Sequence, residues 1–324
     1  MDNSLFVEPN LTIITPTREG FSSHWLDALI KVEGNIEFIL VHPPNMKKIE
    51  IHDYRFQQIN APFRGEIIQR MTGLLNARAK YTLSINCDEY LHPEILEIVE
   101  QYFQRFPNSW VLRLATQSYA YGKKNELSIS WTFSPPSIPE LPIWDGQLET
   151  KNDSWNNCYL REMPIAPLKN KLNLTTFWKE RKDHHGRHTE NFDKKVWKTD
   201  LVKQSLLKIN QNMILLKVFK YLPFWCMDRL LGLGVQANFF TKNNEIIGHI
   251  LPSPEQLRSE DNPPEYRSKV RYYVLAELIL LKTFPQYPYM WNLVISNTRK
   301  YGFLYLKEIL NNIFKRKNNS GINS

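Results

Sequence analysis

Cysteine is scarce in this sequence, and its spacing disfavours small, cross-linked classes of protein. Three cysteines occur in 324 residues, at Cys87, Cys158 and Cys226, and no two of them form a CxxC pair. An odd and sparse set of this kind argues against a disulfide framework and against a zinc site. It is typical of a reducing compartment, and we therefore expect a cytoplasmic protein.

Long hydrophobic runs are also missing. The longest apolar stretch, YYVLAELILL at residues 272–281, is far shorter than the roughly 20 residues that a membrane-spanning helix needs. The first ten residues, MDNSLFVEPN, are acidic and polar, unlike a secretory signal peptide. These two features predict a soluble protein that makes, at most, a peripheral contact with the inner face of a membrane.

Two further absences concern nucleotides and nucleic acids. The turn TPTREG at residues 15–20 is not the glycine-rich phosphate loop that a nucleotidyltransferase would carry near its N-terminus. The basic residues are scattered, and we find no recognised nucleic-acid-binding motif. We expect no nucleic-acid partner, and a nucleotidyltransferase stays open only as an alternative.

The composition is that of a globular protein with a slight basic excess. Hydrophobic residues make up 42% of the chain and charged residues 23%, which allows a sizeable core. The 41 basic and 33 acidic residues give a net charge of +8. This excess suits an anionic partner, such as a nucleotide diphosphate or a membrane surface.

Strand and helix patterns alternate through the first 106 residues. Apolar runs predict strands, and a helical period of apolar residues predicts the helices between them. The strands are predicted at 11–15, 37–41, 54–59 and 81–85, and the helices at 22–32, 65–79 and 95–106. This alternation favours an α/β fold with a mostly parallel sheet and flanking helices, which binds ligands at the carboxyl edge of its strands.

The second half has a mixed pattern. Alternation predicts strands at 110–115 and 127–133, and apolar runs predict a helix over 200–222 and paired strands within 235–250. The proline-rich stretch at 134–146 is too long for a simple connection and is a candidate binding or lid segment. Two apolar helices and a polar tail are predicted from residue 266 onward.

The motif SINCDEYLHPE at residues 84–94 ends a predicted buried strand with two adjacent carboxylates, Asp88 and Glu89. Carboxylates at such a place are costly unless they meet a cation, a donor or water. One interpretation is a solvated turn in which Asp88 or Glu89 caps the next helix. The other is a ligand site at the edge of the sheet.

Several motifs together resemble the family-2 glycosyltransferases of the GT-A fold. LTIITPTREG at residues 11–20 resembles the opening strand and turn of that family. SINCDEYLHPE resembles its Asp-x-Asp motif, with Asn86 at the first position, Asp88 at the last and Glu89 after it. A helix-then-strand signature of the family is matched by Gly65, Arg70, Gly73, Ala77 and Tyr81. The resemblance covers residues 9–106 well and residues 190–258 loosely.

The resemblance implies a fold, a reaction and a set of donor-site residues. The expected fold is a GT-A-like nucleotide-binding sheet with flanking helices, a mixed second half and C-terminal helices. The expected reaction is an inverting, metal-dependent transfer from a nucleotide-diphosphate sugar to a glycan or lipid-linked acceptor, in the synthesis of a surface polysaccharide. The residues implied in binding the nucleotide sugar are Thr15, Pro16, Thr17, Arg18, Arg70, Asn86 and Asp88. Asp88 would hold Mg²⁺ or Mn²⁺, which prefer carboxylate oxygen and neutralise the leaving diphosphate.

The resemblance also implies a division of the chain. We expect a glycosyltransferase domain over residues 1–258, with a nucleotide-binding half at 1–106 and an acceptor half at 107–258. Residues 259–324 would form a helical extension and a polar tail.

Three positions depart from the family pattern. Val41 is followed by His42, where the family has an Asp that holds the base or ribose. Asn86 is a neutral residue in place of an Asp, and Met71 replaces the usual Asn. These departures leave open a catalytically inactive, GT-A-like binding protein as the alternative function.

An inverting transferase needs a base that takes the proton from the acceptor hydroxyl, and two segments of the sequence could supply it. In FWCMDRLLGLG at residues 224–234, Asp228 has apolar neighbours, which would raise its pKa toward neutrality. Capping of a helix is the competing role for Asp228. In HHGRHTENFD at residues 184–193, Glu190 is the second candidate, although this stretch also reads as a solvated basic loop.

His249 and Trp144 complete the set of candidate residues. Some GT-A enzymes complete the metal site with a histidine from the second half, and His249 in IIGHIL has that place. A histidine between apolar residues is also typical of a structural core. Trp144, in the proline-rich loop, is the candidate for stacking on an acceptor sugar.

The C-terminal stretch YGFLYLKEILNNIFKRK at residues 301–317 predicts an amphipathic helix with basic residues at its end. One interpretation is contact with an anionic membrane leaflet, which would suit a lipid-linked acceptor. The other is docking of the apolar face on the catalytic domain, with the basic residues favoured at a helix C-terminus.

Overall fold

The computed structural model describes most of the chain. The described residues are 8–131, 137–144, 159–179, 181, 188–216, 222, 225–243, 245–261, 273–299 and 301–302.

Eleven strands are found in the described residues, and eight of them form the central sheet. The strands are β1 (Leu11–Pro16), β2 (Ile36–His42), β3 (Phe56–Asn60), β4 (Tyr81–Ser84), β5 (Glu89–Leu91), β6 (Val111–Arg113), β7 (Thr116–Tyr119), β8 (Arg161–Pro164), β9 (Lys195–Lys198), β10 (Ile246–Ile250) and β11 (Leu257–Glu260). The central sheet has the order β3-β2-β1-β4-β9-β6-β10-β8. β1 to β4 are mutually parallel, whereas β9 runs antiparallel to both β4 and β6.

Helices cover both faces of this sheet. They are α1 (Ser23–Ile30), α2 (Glu66–Asn76), α3 (Ile95–Arg105), α4 (Lys124–Leu127), α5 (Thr199–Leu216), α6 (Cys226–Phe239) and α7 (Val274–Thr283). A further helix covers residues 288–299. Short 3₁₀ turns occur at Ile138–Glu140 and Leu174–Phe177.

The strands are apolar on both sides because each face of the sheet carries its own core. Alternate side chains of a strand point to opposite faces, so Ile13 and Ile14 belong to different hydrophobic clusters. The Ile13 cluster includes Trp25 of α1 and Tyr102 of α3. The Ile14 cluster lies under α2, α5, α6 and α7. Near-continuous apolar runs, as in EFILV at residues 37–41, are the expected sequence of such doubly covered strands.

A small second sheet, in the order β5-β11-β7, holds the segment that follows β4. β5 begins at Glu89 and pairs antiparallel with β11, so the turn between β4 and β5 is fixed at both ends. The indole N–H of Trp25 also donates to the carbonyl of Glu89 at 2.9 Å. The carboxyl end of β4 therefore leads into a tightly held turn.

The predicted fold class is confirmed: the chain is a mixed α/β fold with a central eight-stranded sheet and flanking helices. Two element predictions are wrong. The strand predicted at 127–133 is not found in its described part: Leu127 is the last residue of α4, residues 128–131 form no strand, and residues 132–133 lie outside the described residues. Residues 235–239, predicted as a strand, belong to α6, which is buried along most of its length and packs against α5 and α7.

The expected division of the chain at residue 258 stays a prediction, but two observations bear on it. The boundary falls inside β11, which pairs with β5 of the expected nucleotide-binding half and with β7 of the expected acceptor half. In addition, Ala276, Ile279 and Leu280 of α7 share a hydrophobic cluster with α5 and α6. The described part of the C-terminal extension is therefore packed into the main core.

Within the described residues, no helix has both the length and the apolar character needed to cross a membrane. The predicted amphipathic helix at 301–317 lies outside the described residues from position 303 onward.

Close packing of β10 against β6 generates a stability prediction. A Cβ added at Gly248 would overlap the backbone carbonyl of Val111 on the neighbouring strand. Since a backbone atom of a central strand cannot move aside cheaply, we expect Gly248→Ala to lower the free energy of unfolding by about 1–3 kcal/mol. Denaturant unfolding followed by circular dichroism measures this change. The control is Gly302→Ala, where a Cβ would meet no atom within 4 Å. Equal stability of both variants would contradict the close approach.

Candidate active site

The parallel strands β1, β2 and β4 bring their carboxyl ends to one edge of the sheet. The backbone N–H of Thr17 donates to the carbonyl of Val41 at 2.9 Å, which ties the turn after β1 to the end of β2. The side-chain amide of Gln69, on α2, donates to the carbonyls of Thr17 and Val41 at 2.8 and 2.7 Å. Segment 15–18 is thus fixed by backbone contacts, with Arg18 exposed at its end.

His42 lies at the end of β2 and is fully buried. Its Nδ1 is 2.7 Å from the hydroxyl of Thr17, and its Nε2 is 2.9 Å from Oε1 of Gln58. That amide is oriented by two bonds to the backbone of Ile49, so Oε1 accepts and Nε2 of His42 carries a proton. Burial lowers the pKa of His42, against the hydrogen bond that its ring donates to Gln58, which raises the pKa. A neutral histidine therefore ties the strand ends together where the family pattern has a carboxylate.

Arg70 connects α2 with the end of β4. Its guanidinium is almost completely buried and donates to Glu66 Oε1 at 2.8 and 3.0 Å and to Ser84 Oγ at 2.7 Å. A further N–H donates to the side-chain oxygen of Asn86. The amide of Asn86 is thus engaged by a cation of the protein.

The turn after β4 closes on itself through Glu89. The backbone N–H of Asn86 donates to Oε2 of Glu89 at 2.8 Å, and the N–H of Glu89 returns to the carbonyl of Asn86 at 3.1 Å. Burial raises the pKa of Glu89 to about 7. This carboxyl therefore points into the protein and shapes the turn, so the two adjacent carboxylates of the motif have different roles.

Asp88 carries the carboxylate of the turn that is accessible to solvent. Its side chain is 42% exposed, and one oxygen lies 3.8 Å from the guanidinium of Arg18. Partial burial raises the pKa of Asp88, and the charge of Arg18 opposes that increase. A carboxylate and a cation thus face solvent together at the carboxyl edge of the sheet.

Asp228 lies in the first turn of α6, as the sequence predicted. Burial and the negative charge of Asp193 raise its pKa to about 7, and the charges of Arg70 and Lys195 oppose the shift. Arg70 is thus within electrostatic range of Asp228 and hydrogen-bonded to Asn86. Asp228, from the second half of the chain, and the turn that holds Asp88 are therefore both linked to Arg70, the first through its charge and the second through a hydrogen bond.

Lys195 belongs to the same region, and the sequence analysis missed it. Lys195 is the first residue of β9, which runs antiparallel to β4. The next residue, Val196, pairs with Leu83 near the end of β4, so Lys195 lies at the carboxyl edge of β4. Its ammonium donates to the carbonyls of Asn191 and Asp193 at 2.8 and 3.1 Å. Burial lowers its pKa to about 8. Nothing in the local pattern distinguishes this buried lysine from the half-buried Lys194 and Lys198.

Glu190, the second candidate base, is buried in an ion-pair network. Its carboxylate accepts from Arg181 at 2.9 Å and lies 2.6 Å from Arg229, and the hydroxyl of Tyr289 also donates to it. Burial alone would raise the pKa of Glu190, but His188, Arg229 and Arg181 together hold it well below its usual range. Such a carboxylate is a weak base, and its contacts favour a structural role. The neighbouring His184 and His185 lie outside the described residues.

His249 lies within the core under α3. Its Nδ1 is 2.9 Å from the hydroxyl of Tyr102, and its ring packs at 4.3 Å, between centroids, from that of Phe106. Burial lowers the pKa of His249 to about 4. These contacts support the structural interpretation of this histidine over the metal-ligand role expected from the resemblance.

Trp144 is only 8% exposed, and its backbone N–H donates to the carbonyl of Leu160 at 2.9 Å. This position favours packing over the open stacking surface that was expected for an acceptor sugar. Trp131 is also engaged, with the guanidinium of Arg258 at 3.9 Å from its ring centroid. Trp155 lies outside the described residues.

The donor set at the turn limits how a metal ion would be held. The described ranges contain no group of three or more His, Cys, Asp or Glu residues that could hold one. Glu66 and Asn86 are engaged by Arg70, and Glu89 points inward, which leaves the carboxylate of Asp88. One carboxylate fits a hard divalent ion that brings phosphate oxygens and water as its other ligands.

Comparisons with known proteins give limited information. No protein-family model matches the chain, and no curated protein matches it. Among solved structures, S. aureus TarS 1-349 in complex with UDP-GlcNAc is similar at 14% identity and a TM-score of 0.46, over 84% of this chain and 66% of that chain. The same fragment in complex with UDP gives 13% identity and a TM-score of 0.45, and a longer TarS structure gives 13% and 0.43.

This chain spans 66% of the first TarS fragment and 42% of the longer TarS structure. Similarity at this identity and TM-score establishes neither a family nor a ligand.

The environment of Asp228 predicts a pH-dependent stability difference. Its pKa is higher in the folded protein than in the unfolded chain, so the folded state binds the additional proton. The contribution of this group to stability is therefore largest below the unfolded pKa and is lost as pH rises toward about 7. We expect the melting temperature of Asp228→Asn, relative to that of the wild type, to increase between pH 5 and pH 8.

Asp200→Asn is the matched control, since Asp200 is an exposed residue in the first turn of α5. Thermal melts at several pH values measure the difference. A constant offset between Asp228→Asn and the wild type across this range would contradict the raised pKa.

Proposed function

We propose that this chain is an inverting glycosyltransferase that moves a sugar from a nucleotide-diphosphate donor to a hydroxyl of a glycan or lipid-linked acceptor. The observation that carries the proposal is that Arg70 interacts both with the turn of Asp88 and with Asp228. Arg70 donates to Asn86 in the turn of Asp88 and also lowers the pKa of Asp228 through its charge. The turn that carries Asp88, the candidate for metal-diphosphate binding, is therefore bonded to the same buried cation whose charge acts on Asp228, the candidate general base.

The edge of the sheet supports a donor site at the turn after β1. Segment 15–18 is fixed there by Gln69 and by the backbone of Val41. Arg18 offers an exposed cation next to Asp88, and cations of this kind bind phosphate oxygens well. The nucleotide would lie over this turn, with its diphosphate at Arg18 and Asp88.

Asp88 would hold Mg²⁺ or Mn²⁺ together with the diphosphate. When bound, such an ion neutralises the negative charge that develops on the leaving nucleotide diphosphate. The residues of the chain contribute the rest of the site. Arg70 fixes Asn86 and the turn, and Glu89 closes the turn from inside, so that Asp88 faces outward without rearrangement.

Asp228 would act as the general base. In an inverting transfer the acceptor oxygen attacks the anomeric carbon while its proton passes to a carboxylate, and the bond to the diphosphate breaks on the opposite side. A base is most effective when its pKa is close to the working pH. Burial and the charge of Asp193 bring Asp228 to about 7, which suits this role.

Turnover tests the function as a whole. The purified protein would be incubated with a panel of nucleotide-diphosphate sugars and Mn²⁺, and release of the nucleoside diphosphate would be measured. Release from one donor supports the transferase. A nucleotide-induced thermal shift with no release from any donor would identify a binding protein instead.

The proposed role of Asp88 predicts the loss of transfer with little loss of stability. We expect Asp88→Asn to abolish transfer while the melting temperature stays within a few degrees, because the side chain is partly exposed and does not pack in the core. Asp200→Asn, at the opposite edge of the sheet, should keep wild-type activity. Retained transfer by Asp88→Asn, or full activity in excess EDTA, would contradict this role.

The proposed role of Asp228 predicts a defect in kcat. We expect Asp228→Asn to lower kcat by about a hundredfold or more, with donor affinity nearly unchanged, because a base acts mainly in the transition state. In the wild type, kcat/KM should fall as pH decreases below about 7, where Asp228 becomes protonated. Steady-state kinetics and donor binding measure both effects. A hundredfold loss in Glu190→Gln, with Asp228→Asn active, would reverse the assignment.

A further inference from the structure

A short surface turn that contains none of the candidate site residues exposes an unusual set of apolar side chains. The turn comprises residues 169–179, and the 3₁₀ helix Leu174–Phe177 lies within it. Four large apolar side chains are exposed there: Leu172 at 50%, Leu174 at 62%, Phe177 at 43% and Trp178 at 71%. Single exposed apolar residues are ordinary, but four within seven positions need an explanation.

The turn is held in place by the body of the protein. Asn292 is buried; its side-chain oxygen accepts from the N–H of Asn173 at 2.8 Å, and its amide donates to the carbonyl of Lys171 at 3.1 Å. The N–H of Tyr289 also donates to the carbonyl of Leu168 at 3.4 Å. The backbone is therefore fixed against helix 288–299, and the exposed side chains are presented by a rigid support.

Hydrogen bonds within the turn determine which of its side chains face outward. The side chain of Asn173 caps the 3₁₀ helix by accepting from the N–H and the hydroxyl of Thr175, at 3.0 and 2.6 Å. Thr176 is buried, and its hydroxyl donates to the carbonyl of Asn173. In a 3₁₀ helix residues three apart lie on one side, so Leu174 and Phe177 point the same way.

The aromatic pair extends this surface. The rings of Phe177 and Trp178 meet edge to face, with centroids 5.2 Å apart. Together with Leu172 and Leu174 they form an exposed apolar group, which we call the apolar tip.

The charged residues within positions 163–179 are all basic. They are Lys169, Lys171 and Lys179, which are exposed, and the nearest acidic residues along the chain are Glu162 and Glu180. An anionic membrane surface has phosphate groups outside and acyl chains beneath. The lysine ammonium groups suit the phosphate groups, and the tryptophan, phenylalanine and leucine side chains suit the acyl chains.

We propose that the apolar tip of residues 172–178 inserts into the surface of an anionic lipid membrane, with Lys169, Lys171 and Lys179 on the headgroup phosphates. The proposal does not depend on the transferase function. It also differs from the expected contact of segment 301–317, because it assigns the contact to a described turn of the folded domain.

The composition of the surface favours a membrane over a second copy of the chain. A stable protein interface needs a broad patch with a charge-depleted centre. The apolar tip instead consists of a few exposed side chains, and the charged residues next to them within 163–179 are all cationic. Insertion of a few large side chains with electrostatic support is sufficient for peripheral binding to a membrane.

Vesicle binding tests the proposal with the full chain. Co-sedimentation would be measured with vesicles of phosphatidylcholine alone and with vesicles that also contain phosphatidylglycerol, at low and at high salt. We expect binding to the anionic vesicles at low salt, and weaker binding at high salt because exposed charges are screened. No binding to anionic vesicles at low salt would overturn the proposal.

Variants locate the contact. Phe177→Ser combined with Trp178→Ser should weaken partitioning by at least about tenfold, since two large apolar side chains no longer leave water. Lys171→Glu alone should weaken it by about fivefold or more. The control combines Tyr54→Ser with Leu207→Ser, which removes two exposed apolar side chains elsewhere and should bind as the wild type does.

Two further measurements separate the alternatives. Quenching of tryptophan fluorescence by brominated lipid should be reduced in Trp178→Phe, because Trp178 would be the residue in the bilayer. Reversal of Lys315, Arg316 and Lys317 to Glu tests the C-terminal segment. Loss of binding in that variant, with full binding by the Phe177/Trp178 variant, would assign the contact to the C-terminal segment. A third outcome is a wild-type protein that self-associates but does not bind lipid. If the Phe177→Ser, Trp178→Ser variant no longer self-associates, the surface would be assigned to contact with a second copy.

Discussion

The buried guanidinium of Arg70 is the constraint on which the candidate site depends. Burial of a cation is costly, and it would lower the pKa of Arg70, but the negative charges of Glu66 and Asp228 outweigh that effect. Glu66 is one helical turn away on α2, while Ser84 and Asn86 belong to the end of β4. Because its donors must all find partners, Arg70 fixes α2, the strand end and the following turn in one arrangement.

Because Arg70 holds this arrangement, the neighbouring carboxylates have different roles. Glu66 is neutralised by Arg70, and Glu89 is turned inward to the backbone of Asn86. Asp88 is therefore the carboxylate left open to solvent. Asp228 is buried with a pKa near 7, so the same region offers one carboxylate suited to a cation and another suited to a proton.

The sequence predicts the parts of this arrangement that depend on local pattern. Apolar runs and helical periods in the first 106 residues give β1 to β4 and the helices between them, and Asp88 is at the strand end where the motif put it. The strand predicted at residues 235–239 is a helix because packing in the core outweighs the preference of its branched and aromatic residues. The place of Lys195 next to the end of β4 depends on pairing between strands that are distant in the sequence, which a local pattern does not contain. The apolar neighbours of His249 suggested a core position, but not its contact with Tyr102 of α3.

The network at Glu190 shows how a residue outside the site takes part in building it. Glu190 holds Arg229, the neighbour of Asp228 in α6, at 2.6 Å, and Arg229 also lies 3.5 Å from the buried Glu277 of α7. The absence of a side chain at Gly232 lets α6 approach the backbone of Glu190, since a Cβ there would overlap it. The first turn of α6 is thus fixed on two sides, and the direction of Asp228 is fixed with it. Glu190, which the sequence suggested as a base, therefore has contacts that position Asp228, the other candidate base.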